Sequence, residues 1–105
     1  MIWMANKQNA IDHLIYSGAD QYDWYVRLDE VDGKLVVEME DPDDPDMTIS
    51  KTVTVTEVKE TIKSLTEAKA GGWQSVERAI KSDDFDCNDA DIVWQWVVFG
   101  KLIYG

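Results

Sequence analysis

A chain of 105 residues that is 45% hydrophobic, with five Trp, four Tyr and two Phe, can bury one modest core; it is too short for two, so residues 1–105 are expected to form a single domain. Its 21 acidic residues against 10 basic ones, a formal charge of −11, repel nucleic acid and anionic lipid, which argues against direct binding to either and leaves basic protein surfaces, cations or no specific partner, the charge then serving solubility alone. The single Cys87 excludes an intramolecular disulfide, and the opening "MIWMANKQ" has no basic region followed by an apolar stretch, so the expected compartment is the cytoplasm.

Residues 4 to 17 predict a first helix: Ala10, Ile11, Leu14 and Ile15 recur at helical spacing and Gly18 supplies a stop. Next comes "DWYVRLDEVDGKLVVEME", two alternating runs joined by Asp32-Gly33, the dipeptide preferred in a two-residue type I′ hairpin. Pairing Val31 with Lys34 sets Leu28 opposite Val37, Arg27 opposite Glu38 and Val26 opposite Met39. Trp24, Val26, Leu28, Val37 and Met39 then share one face, and Tyr25, Arg27, Asp29, Glu38 and Glu40 share the other. The two prolines and four aspartates of "DPDDPD" predict a rigid solvated loop. A third strand follows at "MTISKTVTV", with Met47, Ile49, Val53 and Val55 inward and Lys51 marking an edge.

Thr54 and Glu57 have the spacing of a capping box, with Val53 and Val58 as its hydrophobic staple, and predict a helix from about Val55 to Lys69 that Gly71-Gly72 ends. Trp73, Val76 and Ile80 outline a third helix, and "KSDDFDCND" links it to the last. The closing run from Ile92 to Gly105 is shorter than the roughly 20 apolar residues of a membrane helix, so it reads as a buried core element. Val, Ile and Trp also suit a strand, but Asn88 as cap, Asp89 and Asp91 in the first turn and Gly100 as stop favour a helix. The expected fold is α+β: a three-stranded antiparallel meander packed on one face by helices, in the order α-β-β-β-α-α-α. The first five elements share the order of a double-stranded-RNA-binding domain, but the second helix opens "TEVKE" where such domains need basic residues, which excludes RNA binding.

Charge is unevenly distributed. Residues 23–46 carry −8, whereas residues 47–81 carry +2. Glu38, Glu40, Asp41, Asp43, Asp44 and Asp46 therefore form an acidic lobe. Same-face acids on an extended chain lie at multiples of a strand rise of about 3.3 Å, which permits mimicry of a phosphate track; a solvated loop that resists aggregation explains the same residues. Trp94 and Trp96, two apart on a helix, point about 200° apart. Either that helix is enclosed on all sides, or one indole lies at a surface, covered by a partner or a second copy or left partly exposed with no partner.

Catalytic signatures are missing. His13 and Cys87 fall on different elements without a nucleophile motif, and Gly71-Gly72 lacks the Lys-Ser/Thr of a phosphate loop. Zinc would want more Cys and His. Asp84, Asp86 and Asn88 match the first offsets of a calcium loop, but Asp89 stands where glycine is needed and Gln95 where a bidentate glutamate is, so helix capping accounts for them better. No cofactor and no enzyme activity are expected, although 21 acids leave a carboxylate pair for acid–base work open.

The tail "NDADIVWQWVVFGKLIYG", through Asp89, Gln95, Phe99, Gly100, Tyr104 and Gly105, resembles the endings of small uncharacterised proteins of actinobacterial phages and their hosts. The resemblance implies a phage-type origin, hence a host-cell cytoplasm, and a shared helical end. The leading expectation is a non-enzymatic accessory protein that binds a host protein through Glu38, Glu40, Asp41, Asp43, Asp44 and Asp46 or through Trp94 and Trp96. The alternatives are a DNA mimic that inhibits a nucleic-acid-binding enzyme, and a divalent-cation binder at Asp84, Asp86 and Asn88.

Overall fold

The computed structural model describes residues 7–104, with side chains from Gln8 onward. Helix α1 (Lys7–Leu14) leads through a 3-10 turn (Ala19–Gln21) into strands β1 (Tyr25–Val31), β2 (Lys34–Asp41) and β3 (Asp44–Val53). Helices α2 (Val55–Glu67), α3 (Trp73–Ser82) and α4 (Cys87–Phe99) follow. The strands form one open antiparallel sheet in the order β1-β2-β3, so the fold is the expected α+β meander with its element order α-β-β-β-α-α-α. Residues 4–6, the expected start of the first helix, and the opening residues read for a leader lie outside the described residues, as does Gly105.

The first hairpin closes as its turn chemistry dictates: Asp32 and Gly33 take left-handed φ values of 51° and 81°, and Val31 pairs with Lys34. The expected register holds through Leu28↔Val37 and Arg27↔Glu38, then breaks. Tyr25, not Val26, stands opposite Met39, so Val26 is the extra residue of a bulge and is 55% exposed. The cause lies inside the fold. A regular strand would put Tyr25 on the outward face with Arg27, whereas the bulge sets it opposite Met39 on the core side, where its hydroxyl meets the same Asp91 oxygen as the indole of Trp24, which precedes the strand.

The acidic segment is also more regular than its prolines suggest. Only Pro42 and Asp43 form the turn; Asp41 pairs with Asp44, and β3 already begins there. Pro45 is tolerated because β3 is an edge strand, where a missing N–H removes no ladder bond. Three residues, 45 to 47, have no partner in the register between Glu40↔Thr48 and Asp41↔Asp44, and Met47, expected inward, is 57% exposed on this irregular stretch. Val55, also expected on the third strand, instead opens α2.

Leu35, Val37 and Met39 of β2 are fully buried, each contributing about 1.5–3 kcal/mol. They face α4, which also packs against β3, α2, α3 and the 3-10 turn. Ala10, Ile11, Leu14 and Ile15 of α1 join the same core. The Thr54 capping box forms in both directions: the Thr54 hydroxyl accepts from Glu57 N (3.1 Å) and Thr54 N donates to the Glu57 carboxylate (3.0 Å). Three helix ends depart from expectation, the first being α1, which closes at Leu14 instead of running to residue 17. Helix α2 stops at Glu67, with Lys69 in the left-handed region at φ 51°, and Gly72 serves as the N-cap of α3. Asp86, not Asn88, caps α4: its carboxylate accepts from Asp89 N (2.8 Å) while Asp86 N donates to Asp89 (3.2 Å). Gly100 ends α4 at φ 70°.

Candidate partner-binding surface

β2 runs through the middle of the sheet with its side chains alternating inward and outward. Leu35, Val37 and Met39 take the core side, which forces Glu38 and Glu40 onto the outward face. Asp41, Asp43, Asp44 and Asp46 wrap the β2–β3 turn at the end of that face, so the structure brings all six predicted acids to one end of the sheet. Local bonds shape this end. Asp41 accepts from Asp43 N (2.8 Å), Asp44 from Asp46 N (3.1 Å), and Glu38 from the Thr48 hydroxyl across the strand pair. Among the described residues no cation lies within ion-pair distance of any of the six. Arg27 stands opposite Glu38 in register, but its guanidinium turns to Asp29 at 3.4 Å.

The two tryptophans separate. Trp94 is 0% exposed and its indole donates to Leu14 O (2.9 Å), so it holds α1 against α4 and presents nothing to a partner. Its assignment to a binding surface is corrected by this burial. Trp96 is half-buried, donates to Gly71 O (2.9 Å), and lines a groove beside α2 with Glu57 and Glu60. Sequence spacing posed two alternatives for α4, and the outcome is nearly complete enclosure: Asp89 through Gln95 are all buried, because α4 runs between the sheet and the other helices.

Inside that enclosure lies a polar network that sequence reasoning missed. Asp91 Oδ1 accepts from Trp24 Nε1 (3.0 Å) and from the Tyr25 hydroxyl (2.7 Å), and Oδ2 accepts from Gln95 Nε2 (2.8 Å). Gln95 in turn accepts from Ile103 N (2.8 Å) and Tyr104 N (2.7 Å), and donates to Tyr104 O (3.0 Å). Tyr104 stacks on Trp24, which stacks on Tyr22, and the Tyr104 hydroxyl donates to Glu40 O (3.0 Å). Burial, then the Asp91 charge, push the Tyr25 phenol far above its ordinary range and keep it a neutral donor. Desolvation likewise raises the Asp89 carboxyl, with Asp86 beside it. The clue available in sequence was Asp91 and Gln95 four apart in an otherwise apolar run, the spacing at which two polar side chains meet on a helix.

The remaining reactive groups are engaged separately. His13 sits 3.3 Å from Asp83 and packs on Phe85, with ring centroids 5.2 Å apart. Cys87 accepts from Gln21 Nε2 (2.9 Å) and lies 3.8 Å from the Tyr22 hydroxyl, a contact that pushes the Tyr22 phenol up to about 12. Asp86 is committed to its cap, and among the described residues no group of three His, Cys, Asp or Glu side chains is placed to hold a metal ion. Nor is any described helix long and apolar enough to cross a membrane. No protein-family model, curated protein or solved structure matches this chain.

Proposed function

We propose that this chain acts without catalysis, as a phage-type accessory protein that docks the acidic end of its sheet on a basic surface of a host protein. One observation carries this reading: six carboxylates gather on β2 and around the β2–β3 turn, and no described cation neutralises them. A predominantly acidic patch whose carboxylates have no ion-pair partner steers and orients a partner of the opposite sign. The phage-type origin rests on the resemblance of the C-terminal tail.

Glu40→Gln/Asp43→Asn/Asp46→Asn tests the surface, because none of these three carboxylates accepts a hydrogen bond that shapes the turn. Affinity capture from host lysate is expected to retain a basic protein at low salt, to lose it at high salt, and to lose it with the triple variant. Retention indifferent to both salt and charge removal sinks the reading. The DNA-mimic alternative has less support, since Glu38 and Glu40 share their face with Arg27, Lys34, Ser50 and Thr52, whereas a phosphate track is uniformly anionic. Displacement of the captured protein by duplex DNA would favour mimicry.

A further inference from the structure

A second acidic feature lies on the helical side of the molecule and involves none of the hairpin carboxylates. It is a groove of about 570 Å³ beside α2, floored by Leu65, Ala68 and Ala70 and flanked by Glu57, Glu60 and Trp96. We propose that this groove receives a basic side chain, arginine or lysine, carried by a partner protein.

The chemistry of the lining selects that occupant. Glu57 and Glu60 are three apart on α2, hence neighbours on its surface, and neither has an ion-pair partner among the described residues. One Glu57 oxygen accepts from Thr54 N, which holds the carboxylate in place and leaves the other oxygen for a ligand. The Trp96 indole is tethered through its N–H to Gly71 O, so a ring whose face attracts cations is fixed in position before any ligand arrives. The small side chains of Ala68 and Ala70 leave room for the aliphatic stem of a long cationic side chain, whose head then meets the two carboxylates. An anion would be repelled, and a purely apolar ligand would strip water from the glutamates without replacing it. Other depressions carry cations of their own: Lys59 and Lys63 between α2 and α3, Arg78 and Lys81 along α3, Lys101 at the end of α4.

The probe is the peptide acetyl-Ala-Arg-Leu-amide, titrated into the ¹⁵N-labelled full chain while the Trp96 indole resonance, assigned with Trp96→Phe, is followed. A saturable shift of that resonance is expected, weakened about threefold in Glu60→Gln and about tenfold in Glu57→Gln/Glu60→Gln, as for exposed charge pairs. Glutamine at position 57 still caps Thr54, so α2 is retained. The citrulline analogue, which keeps the shape and removes the charge, is expected to bind at least tenfold more weakly. Equal binding of the citrulline peptide overturns the proposal, as does an unmoved Trp96 indole at millimolar peptide. Shifts confined to Glu38–Asp46 also overturn it, and they would leave the hairpin reading standing.

Discussion

Gln95 is fully buried and its amide uses both ends: the oxygen accepts from two backbone amides of the tail, and the nitrogen donates to Asp91 and to Tyr104 O. Leucine is similar in volume but can make none of these bonds. Each buried group left without a partner costs about 1–3 kcal/mol, unless it escapes to water. The tail can escape, since it is joined to α4 only through Gly100, so the cost is capped by what the docked tail contributes, including the Tyr104–Trp24 stack at about 1 kcal/mol. Gln95→Leu is therefore expected to lower stability by about 2–3 kcal/mol in urea titrations. The amides of Ile103 and Tyr104 should become fast-exchanging. Continued protection of those two amides would show that something else anchors the tail.

At the scale of elements, the junctions decide how the helices fit. Gly72 takes φ 84° at the start of α3, and a Cβ there would lie 2.7 Å from Ile92 Cγ2. Gly100 takes φ 70° at the end of α4, with nothing within 4 Å of such a Cβ. The two glycines separate backbone strain from steric exclusion. Gly100→Ala is expected to cost about 1 kcal/mol, the left-handed penalty alone. Gly72→Ala should cost about 2–4 kcal/mol, because overpacking against α4 is added. Thermal or urea unfolding of both variants checks the contrast, and Gly72→Ala/Ile92→Ala, which removes the clashing Cγ2, should cost less than the sum of its two single changes. Equal costs at the two sites would mean that α3 and α4 shift apart without penalty. Lys69 explains why α2 ends before the Gly71-Gly72 pair: a lysine at φ 51° does what a glycine does at most such ends, so the helix closes ahead of the boundary that the glycines predict.

For the whole molecule, a formal charge of −11 concentrated in residues 23–46 makes folding work against self-repulsion. Only three ion pairs are seen among the described residues: His13–Asp83, Arg27–Asp29 and Lys81–Glu77. Added salt therefore has more repulsion than attraction to screen. Raising NaCl from about 10 mM to about 0.1 M, which shortens the screening length from about 30 Å to about 10 Å, is expected to raise Tm. The increment should be smaller in Glu40→Gln/Asp43→Asn/Asp46→Asn. A Tm that falls with salt would mean that attractive pairs outweigh the acidic end.

Local pattern by itself determined a good deal: the α+β order, the Asp32-Gly33 hairpin, the Thr54–Glu57 box, the edge position of β3, and the outward display of Glu38 and Glu40. These features depend on neighbours two to five residues apart, and turn, cap and pleat geometry are set at that range. Tertiary structure alone decided the bulge at Val26, the burial of Trp94 and the groove beside Trp96; the Asp86 cap, made with Asp89 three residues on, is local. The reason is common to all three: each answers to partners far along the chain. Trp24 and Tyr25 reach Asp91 more than sixty residues away, Trp94 reaches Leu14 eighty residues away, and Trp96 reaches Gly71 twenty-five residues away. A period or a propensity carries no information about who stands across the core.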